Sequence, residues 1–278
     1  MGLKIIIDSG STKSDWAVLN NSQETIYATT GINPAKQKTL LDLESIDKNL
    51  KTALSKADAI YYYGAGVFDI DSKNRIENMF TVFVPKNCNI QIESDILGAA
   101  RATAKNNKAI VCILGTGSNS CLFDGTNIME NIPTLGYILS DEGGGVNIGK
   151  SILKSYLYDT MPTEVRIKFE GLYTLNKKHI IKKLYKEENP NTYLATFTYF
   201  LKKSNHQKWN QSILDKNFQE FVDIRIKGYK GYQDLEIYFI GSIAHYFRDS
   251  LKAIFTKNNL KLKTILKRPI EGLIAYHK

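Results

Sequence analysis

Two short turns rich in small and hydroxyl-bearing residues are the strongest chemical signals in this sequence. The first is Asp8-Ser9-Gly10-Ser11-Thr12-Lys13 and the second is Gly115-Thr116-Gly117-Ser118. Small side chains let backbone N–H groups approach phosphate oxygens, while hydroxyls and Lys13 add donors and positive charge. Each turn alone could be a tight polar hairpin. As a pair, one in each half of the chain, they predict two phosphate-binding turns that clamp a triphosphate.

Two carboxylates are placed where phosphoryl-transfer chemistry would need them. Asp8 ends an apolar run, a position from which it could hold Mg²⁺ through water, because Mg²⁺ prefers oxygen ligands and keeps much of its hydration. Asp95 precedes an alanine-rich segment with helical spacing, and we interpret it as a candidate general base for a hydroxyl acceptor. The alternative for Asp95 is a helix-capping role without chemistry.

An acidic segment, Asp141-Glu142-Gly143, suits the binding of sugar hydroxyls through charge-assisted hydrogen bonds. A polar loop that caps the next helix explains the same residues without any ligand. Both interpretations stay open at the level of the sequence.

A second nucleotide motif competes with the paired turns. Gly144-Gly145-Val146-Asn147-Ile148-Gly149-Lys150-Ser151 matches the P-loop pattern letter for letter. A P-loop requires a buried strand directly before it and a helix after it. The preceding residues 139–143 are too polar for a strand end, so we expect the match to be accidental.

The elements that must position these residues form a repeated pattern. Apolar runs at 5–7 and 109–114 each lead into a small-residue turn and then a second strand, which predicts two lobes. We place the lobe boundary at the polar residues 105–107. The first lobe then covers 1–106 and the second 107–268, with a lysine- and tyrosine-rich helical insertion at about 159–223.

Composition excludes several functional classes. The net charge of +9 comes from widely spread lysines, without an arginine tract or nucleic-acid motif, so we expect no nucleic-acid partner. No apolar stretch reaches the length of a membrane span, and the N-terminus lacks a signal-peptide layout. Three cysteines and four histidines have no metal-ligand spacing. These features predict a cytoplasmic protein with reduced thiols.

Taken together, the ordered motifs resemble the N-acetylglucosamine kinase-like branch of the BadF/BadG/BcrA/BcrD-type ATPase family. That family is part of the actin/hexokinase/heat-shock chaperone superfamily. The resemblance implies an α/β fold of two ribonuclease H-like lobes around an interlobe ATP and sugar cleft, with ATP and Mg²⁺ as cofactors. It also implies that the C-terminal helix 269–278 returns to the first lobe, and that the protein is a homodimer.

The same resemblance assigns roles to individual residues. Asp8 would hold the metal, the two turns would bind phosphate, and Asp95 would be the catalytic base. Gly241-Ser242 resembles the start of the adenosine motif. The implied sugar contacts are Asn33, Asn119, Gly136 and Asp141.

The resemblance implies phosphorylation of an amino sugar, with N-acetylglucosamine and its 6-phosphate as the leading expectation. Two alternatives on the same fold remain. A non-catalytic sugar sensor would not need Asp95, and a partner-activating ATPase would need cysteines placed to hold a subunit-bridging iron–sulfur cluster.

Overall fold

The chain divides into two compact α/β units. A computed structural model describes residues 2–20, 23–38, 40–41 and 46–278. The first unit contains Met1–Asn107, Gly125–Asn127 and Arg268–Lys278, and the second contains Lys108–Asp124 and Ile128–Lys267. Within the described ranges, no helix is long and apolar enough to cross a membrane.

A mixed sheet organises the first unit. Its strands, in the order β3-β2-β1-β4-β5, are β1 (Lys4–Ser9), β2 (Lys13–Asn20), β3 (Gln23–Thr30), β4 (Ala59–Gly64) and β5 (Asn89–Ser94). β1 to β3 form an antiparallel meander, and β4 and β5 run parallel to β1. Parallel strands end at a common edge, where ligands bind in open α/β sheets. The sheet therefore brings the ends of β1 and β5, with Asp8 and Asp95, to one edge.

The helices of the first unit begin at recognisable sequence signals. They are α1 (Lys48–Leu54), α2 (Ile70–Thr81), α3 (Asp95–Thr103) and, at the C-terminus, α12 (Pro269–His277). Ser94 caps α3 by accepting from Leu97 N at 3.4 Å, so Asp95 is the first residue of the helix and not its cap. Proline at the start of α12 costs no hydrogen bond because that N–H would be unpaired. α12 packs against α3.

The second unit repeats the sheet of the first. Its order is β10-β9-β6-β7-β8, from β6 (Ala109–Leu114), β7 (Ser118–Phe123), β8 (Ile128–Asn131), β9 (Glu236–Ile240) and β10 (Lys261–Leu266). Again the first three strands are antiparallel neighbours, and the last two run parallel to the first of them. The predicted strand–turn–strand repeat is thus part of a whole repeated sheet.

The segment predicted to be helical supplies much of the second unit's core. Phe169, Phe197 and Phe200 are buried there, because each helix presents one apolar stripe inwards. The helices of this unit are α4 (Gly136–Leu139), α5 (Gly145–Leu157), α6 (Thr163–Leu172), α7 (Lys177–Tyr185), α8 (Pro190–Thr196), a 3₁₀ helix (Phe197–Lys202), α9 (Gln207–Phe221), a π-helix (Val222–Ile226), α10 (Ser242–Tyr246) and α11 (Arg248–Lys257).

A histidine near the C-terminus fastens α12 to the first unit. His277 stacks on Tyr61 at 3.9 Å between ring centres, and its Nε2 lies 2.8 Å from the Tyr63 hydroxyl. Because Arg101 Nη1 donates to that hydroxyl at 2.9 Å, the tyrosine proton is free to be donated to Nε2 of a neutral imidazole. Burial, with Arg101 and Lys4 nearby, lowers the pKa of His277 to about 4.

This arrangement predicts a loss of stability in mild acid. A neutral His277 in the folded state and an ordinary histidine in the unfolded state make folding weaker as pH falls from about 6.5 through about 4. We expect His277→Gln to lose about 1 kcal/mol less free energy of unfolding than wild type between pH 7 and pH 4.5, since partial exposure weakens the effect. Urea unfolding across pH measures it. The control is His179→Gln, at an exposed histidine of α7, and its stability should depend on pH as that of wild type does. The same change in unfolding free energy with pH in all three proteins would contradict the prediction.

Candidate functional site

The first predicted phosphate turn is a tight connection between β1 and β2. Gly10 N donates to Lys13 O at 2.9 Å, and Gly31 N donates to Thr12 O at 3.0 Å. A side chain at Gly31 would overlap the backbone of Gly10, so glycine there lets the chain lie against the turn. Ser9 differs from the other turn residues because its hydroxyl is buried. That hydroxyl lies 2.6 Å from Ser14 Oγ, so it is engaged within the protein and not available to a ligand.

Asp8 and Asp95 both have raised pKa values at the edge of this sheet. Burial, followed by the negative charges of Asp15 and Asp95, raises the pKa of Asp8 to about 7. Burial raises the pKa of Asp95 to about 6, although backbone N–H groups at Asp95 and Ile96 oppose the shift. Asp8 and Asp95 are half-buried. The desolvation therefore comes from the protein that surrounds each carboxyl, and water still reaches part of both residues. A carboxylate with such a pKa can exchange a proton near neutral pH.

The sequence interpretation missed two residues of this cluster, Asp15 and Arg268. Asp15 faces Asp8 across the β1–β2 pair and is 6% exposed. Arg268 Nε donates to Asp15 Oδ2 at 3.0 Å, while Arg268 Nη2 and Lys13 Nζ lie 2.9 and 2.7 Å from Oδ1. The contacts to Oδ1 are ion pairs whose angles fall outside hydrogen-bond geometry. The sequence signal that could have identified Asp15 is its position seven residues after Asp8, across a hairpin turn.

The second predicted turn packs on the start of α5. Gly115 N donates to Gly117 O at 3.0 Å, closing the turn, and Ser118 N donates to Asp141 Oδ1 at 3.0 Å. Gly145 N donates to Gly115 O at 2.9 Å, so the turn pairs an N–H group that the helix itself leaves unpaired. A side chain at Gly117 would overlap the Asp141 carboxylate. Asp141 therefore buttresses this turn.

The P-loop match does not form a P-loop. Residues 141–143 form a turn in which Asp141 and Gly143 both have φ of 70°, where a P-loop requires a strand. Gly149 and Lys150 lie inside α5, and a side chain at Gly149 would overlap Leu194 O. Lys150 Nζ donates to Tyr137 O. The motif residues thus serve helix packing.

Gly241 places the predicted adenosine motif beside the second turn. Its φ of 120° is open to glycine and strained for other residues. A side chain there would overlap Leu114 O, immediately before Gly115. Ser242 then begins α10 with an exposed side chain. Within the second unit, the two predicted nucleotide motifs are therefore direct neighbours.

The four predicted sugar contacts divide between the units. In the first, Asn33 is buried and its Nδ2 donates to Ser11 Oγ at 2.9 Å, tying it to the phosphate turn. In the second, Asn119 Oδ1 accepts from Asn131 Nδ2 at 3.1 Å. Gly136, with φ of 72°, begins α4, five residues before Asp141.

The donor set at Asp8 fits a hydrated Mg²⁺. Among the described residues, no group of three or more His, Cys, Asp or Glu side chains could hold a metal ion. Mg²⁺ in phosphoryl-transfer sites typically uses one or two carboxylates, several waters and substrate phosphates, so one carboxylate beside a phosphate turn is sufficient. Burial, followed by the negative charges of Asp15 and Asp95, raises the pKa of Asp8, and a bound cation would offset this cost of ionising the carboxyl.

Comparison with known proteins gives a family for this chain. The model of the BadF/BadG/BcrA/BcrD ATPase family matches residues 7–160, which include both turns, Asp95 and Asp141. No curated protein matches the sequence. A structure from Porphyromonas gingivalis, described as a "putative N-acetylglucosamine kinase", is 34% identical with a TM-score of 0.87, and the match covers 100% of this chain and 98% of that one.

More distant structures share the fold alone. A "putative N-acetylglucosamine kinase" from Chromobacterium violaceum is 13% identical, with a TM-score of 0.73 and coverage of 100% and 99%. A propionate kinase from Francisella tularensis is 15% identical, with a TM-score of 0.50 and coverage of 99% and 98%. Together with the repeated five-stranded sheets, these likenesses confirm the predicted α/β fold of actin/hexokinase type. This chain belongs to the BadF/BadG/BcrA/BcrD ATPase family.

Proposed function

We propose that this protein is an ATP-dependent sugar kinase that phosphorylates an amino sugar, with N-acetylglucosamine as the first substrate to test. The observation that carries the proposal is the placement of Asp8 and Asp95 at one edge of the first sheet, where burial raises the pKa of both carboxyls. Membership of an ATPase family supports the use of ATP. The 34% identical relative, described as a "putative N-acetylglucosamine kinase", supports the choice of sugar.

In the proposed reaction, Asp95 accepts the proton of the sugar 6-hydroxyl. The sugar oxygen then bonds to the γ-phosphorus of ATP, the bond from that phosphorus to the β-γ bridging oxygen breaks, and ADP leaves. Phosphoryl transfer depends on alignment and charge stabilisation more than on covalent help from the protein. A base with a pKa near 6 stays mostly ionised at neutral pH while remaining basic enough to accept the proton.

Asp8 is the proposed residue for holding Mg²⁺, through water. When bound, the ion neutralises charge on the phosphate oxygens. Asp15 lies opposite Asp8, and the Asp15 carboxylate is ion-paired with Lys13 and Arg268. The backbone N–H groups and hydroxyls of the first turn are the proposed phosphate donors in this unit.

The proposed nucleotide contacts in the second unit are residues 115–118 and Gly241-Ser242, and the close approach of Gly241 to Leu114 O supports this pairing. The proposed sugar contacts are Asn33, Asn119, Gly136 and Asp141. None of the three cysteines, all of which lie in the described residues, is in a disulfide, which fits a reducing compartment, so we propose that the reaction takes place in the cytoplasm. We also propose that the protein forms a homodimer.

The arrangement of the cysteines disfavours an electron-delivering activator ATPase. Cys112 and Cys121 are completely buried in the sheet of the second unit, and burial raises the pKa of the Cys112 thiol well above its usual value. A subunit-bridging cluster needs accessible thiolates. Cys88 is partly buried in the other unit.

The decisive experiment measures ADP release by purified protein with MgATP and a panel of sugars. The panel contains N-acetylglucosamine, glucosamine, N-acetylmuramic acid and glucose. We expect strong stimulation by one amino sugar, and mass spectrometry should detect its monophosphate. The 6-deoxy form of that sugar should give no product, which tests the position of transfer. Absence of stimulation by any sugar would overturn the kinase function in favour of a sensor or a partner-activating ATPase.

A further inference from the structure

A buried arginine outside all the predicted motifs holds one loop of the second unit. Arg225 lies in the π-helix Val222–Ile226 and is 1% exposed. π-helical turns are rare and often occur at functional sites. The guanidinium donates to four acceptors, all within residues 132–142: Glu142 Oε2 at 2.9 Å, Ile132 O at 2.9 Å, Pro133 O at 3.0 Å and Ser140 Oγ at 3.1 Å.

These residues, which we call the 132–142 loop, have little apolar packing at their tip. Leu135, Ile138 and Leu139 are 63%, 72% and 72% exposed. Ser140 Oγ, besides accepting from Arg225, accepts from Leu135 N at 2.9 Å and so joins the two sides of the loop. Ile132 and Tyr137 pack partly against the core of the unit, so the loop is held by these two contacts together with the polar contacts at its base.

The chemistry of these contacts suits positioning more than stability. Two buried charges lose their hydration, and a buried ion pair is consequently a weak source of stability. The planar guanidinium has five donors in a fixed geometry, so Arg225 can hold several acceptors at defined relative positions, whereas a lysine cannot. Glu142 is thereby occupied as the partner of Arg225, although it adjoins the proposed sugar contact Asp141.

We propose that Arg225 is a positioning residue for sugar recognition. It holds both ends of the 132–142 loop and thereby presents Gly136 and Asp141 to the sugar. Arg225 itself does not contact the substrate, and Glu142 is its counter-ion. This proposal rests on the kinase function proposed above.

Arg225→Lys tests the proposal because it keeps the positive charge and removes the planar guanidinium with its five donors. If only about a tenth of the molecules then hold the loop in the competent conformation, the KM for the sugar rises about tenfold. We expect kcat at saturating sugar and the KM for ATP to change less than about threefold. The matched control is Arg166→Lys, at a surface arginine of the same unit that pairs with Asp159 and Glu170, and it should leave all three constants unchanged.

A second variant separates positioning from folding. Arg225→Met alone would leave Glu142 charged and unpaired, so the double variant Arg225→Met/Glu142→Met removes both charges and keeps similar volumes. We expect it to fold, with the same rise in sugar KM. Hydrogen exchange without sugar should show faster exchange in the 132–142 loop than in wild type, for both this variant and Arg225→Lys.

The outcomes are distinct. One outcome would overturn the positioning role alone. In it, wild type turns over the sugar, and the folded variants have the same sugar KM and the same hydrogen exchange in the loop as wild type. A lower melting temperature with unchanged KM and loop exchange indicates a merely structural role and also overturns it. Absence of sugar-stimulated turnover by wild type would overturn the kinase function and, with it, a role in sugar recognition, whatever the loop exchange shows.

Discussion

Asp95→Asn should lower kcat for sugar phosphorylation by about 10²–10⁴-fold, because it removes the proposed proton acceptor while keeping the shape of the side chain. Nucleotide affinity, measured by calorimetry, should stay within about threefold of wild type. Asp69→Asn is the matched control, since Asp69 is an exposed carboxylate that caps α2 in the same unit. Asparagine caps helices about as well as aspartate, so this variant should keep wild-type activity.

The same residue predicts the acid limb of the pH profile. Asp95 has a pKa of about 6 in the free protein, so the fraction ionised falls about tenfold per pH unit below that value. We expect kcat/KM for the sugar to fall correspondingly below about pH 6. Both profiles are measured at saturating Mg²⁺, which favours the ionised form of Asp8, and the residual activity of Asp95→Asn should then lack this limb. Activity of Asp95→Asn within about threefold of wild type would exclude Asp95 as the base.

Asp8→Asn should change activity and stability in opposite directions. Removing the proposed Mg²⁺-holding carboxylate should lower Mg²⁺-dependent turnover by about two orders of magnitude or more. The same change should stabilise the ligand-free protein at pH 8 by about 1–2 kcal/mol, a value reduced for the partial exposure of the side chain. Such opposition is typical of residues retained for function at a cost in stability.

The sign follows from the pKa of Asp8. The pKa of Asp8 is about 7 in the folded protein and has its ordinary value of 3.8 in the unfolded chain, so folding favours the protonated carboxyl. Its contribution to stability is complete below about pH 3.8 and is lost as pH rises through about 7. Asparagine mimics the neutral form at every pH, and the variant's advantage should therefore grow between pH 5 and pH 8.

Thermal unfolding in Mg²⁺-free buffer across this pH range measures the stability effect, and ADP release with MgATP measures the activity. Asp71→Asn is the control, because Asp71 is an exposed carboxylate in the first turn of α2 and should change neither quantity. An Asp8→Asn protein that is less stable than wild type at pH 8 would contradict the electrostatic explanation.

The strand–turn–strand units could be predicted from the sequence because their causes are local. Ile5, Ile6 and Ile7 form a completely buried strand, and Gly10 follows at the turn. The corresponding run Ala109–Leu114 repeats the pattern and is β6 of the second sheet. Short continuous apolar runs and turn chemistry involve residues a few positions apart, so both are visible in a single sequence.

The accidental P-loop illustrates why context outweighs a motif. The residues from Gly144 to Ser151 match the P-loop pattern, but the polar residues before them predicted that no strand precedes it. In the structure, α5 begins inside the motif at Gly145. Backbone conformation depends on hydrogen bonding and packing of the flanking residues, which the motif itself does not contain.

The sequence by itself determined the repeated strand–turn–strand pattern, the helix that follows Ser94, and the carboxylates available for chemistry. The tertiary structure alone decided which charges meet. Arg268 pairs with Asp15 across 253 positions, and Arg225 with Glu142 across 83. Local signals act through neighbouring backbone geometry, whereas ion pairs and raised pKa values depend on distance and burial in space. Those quantities exist only after the chain has folded.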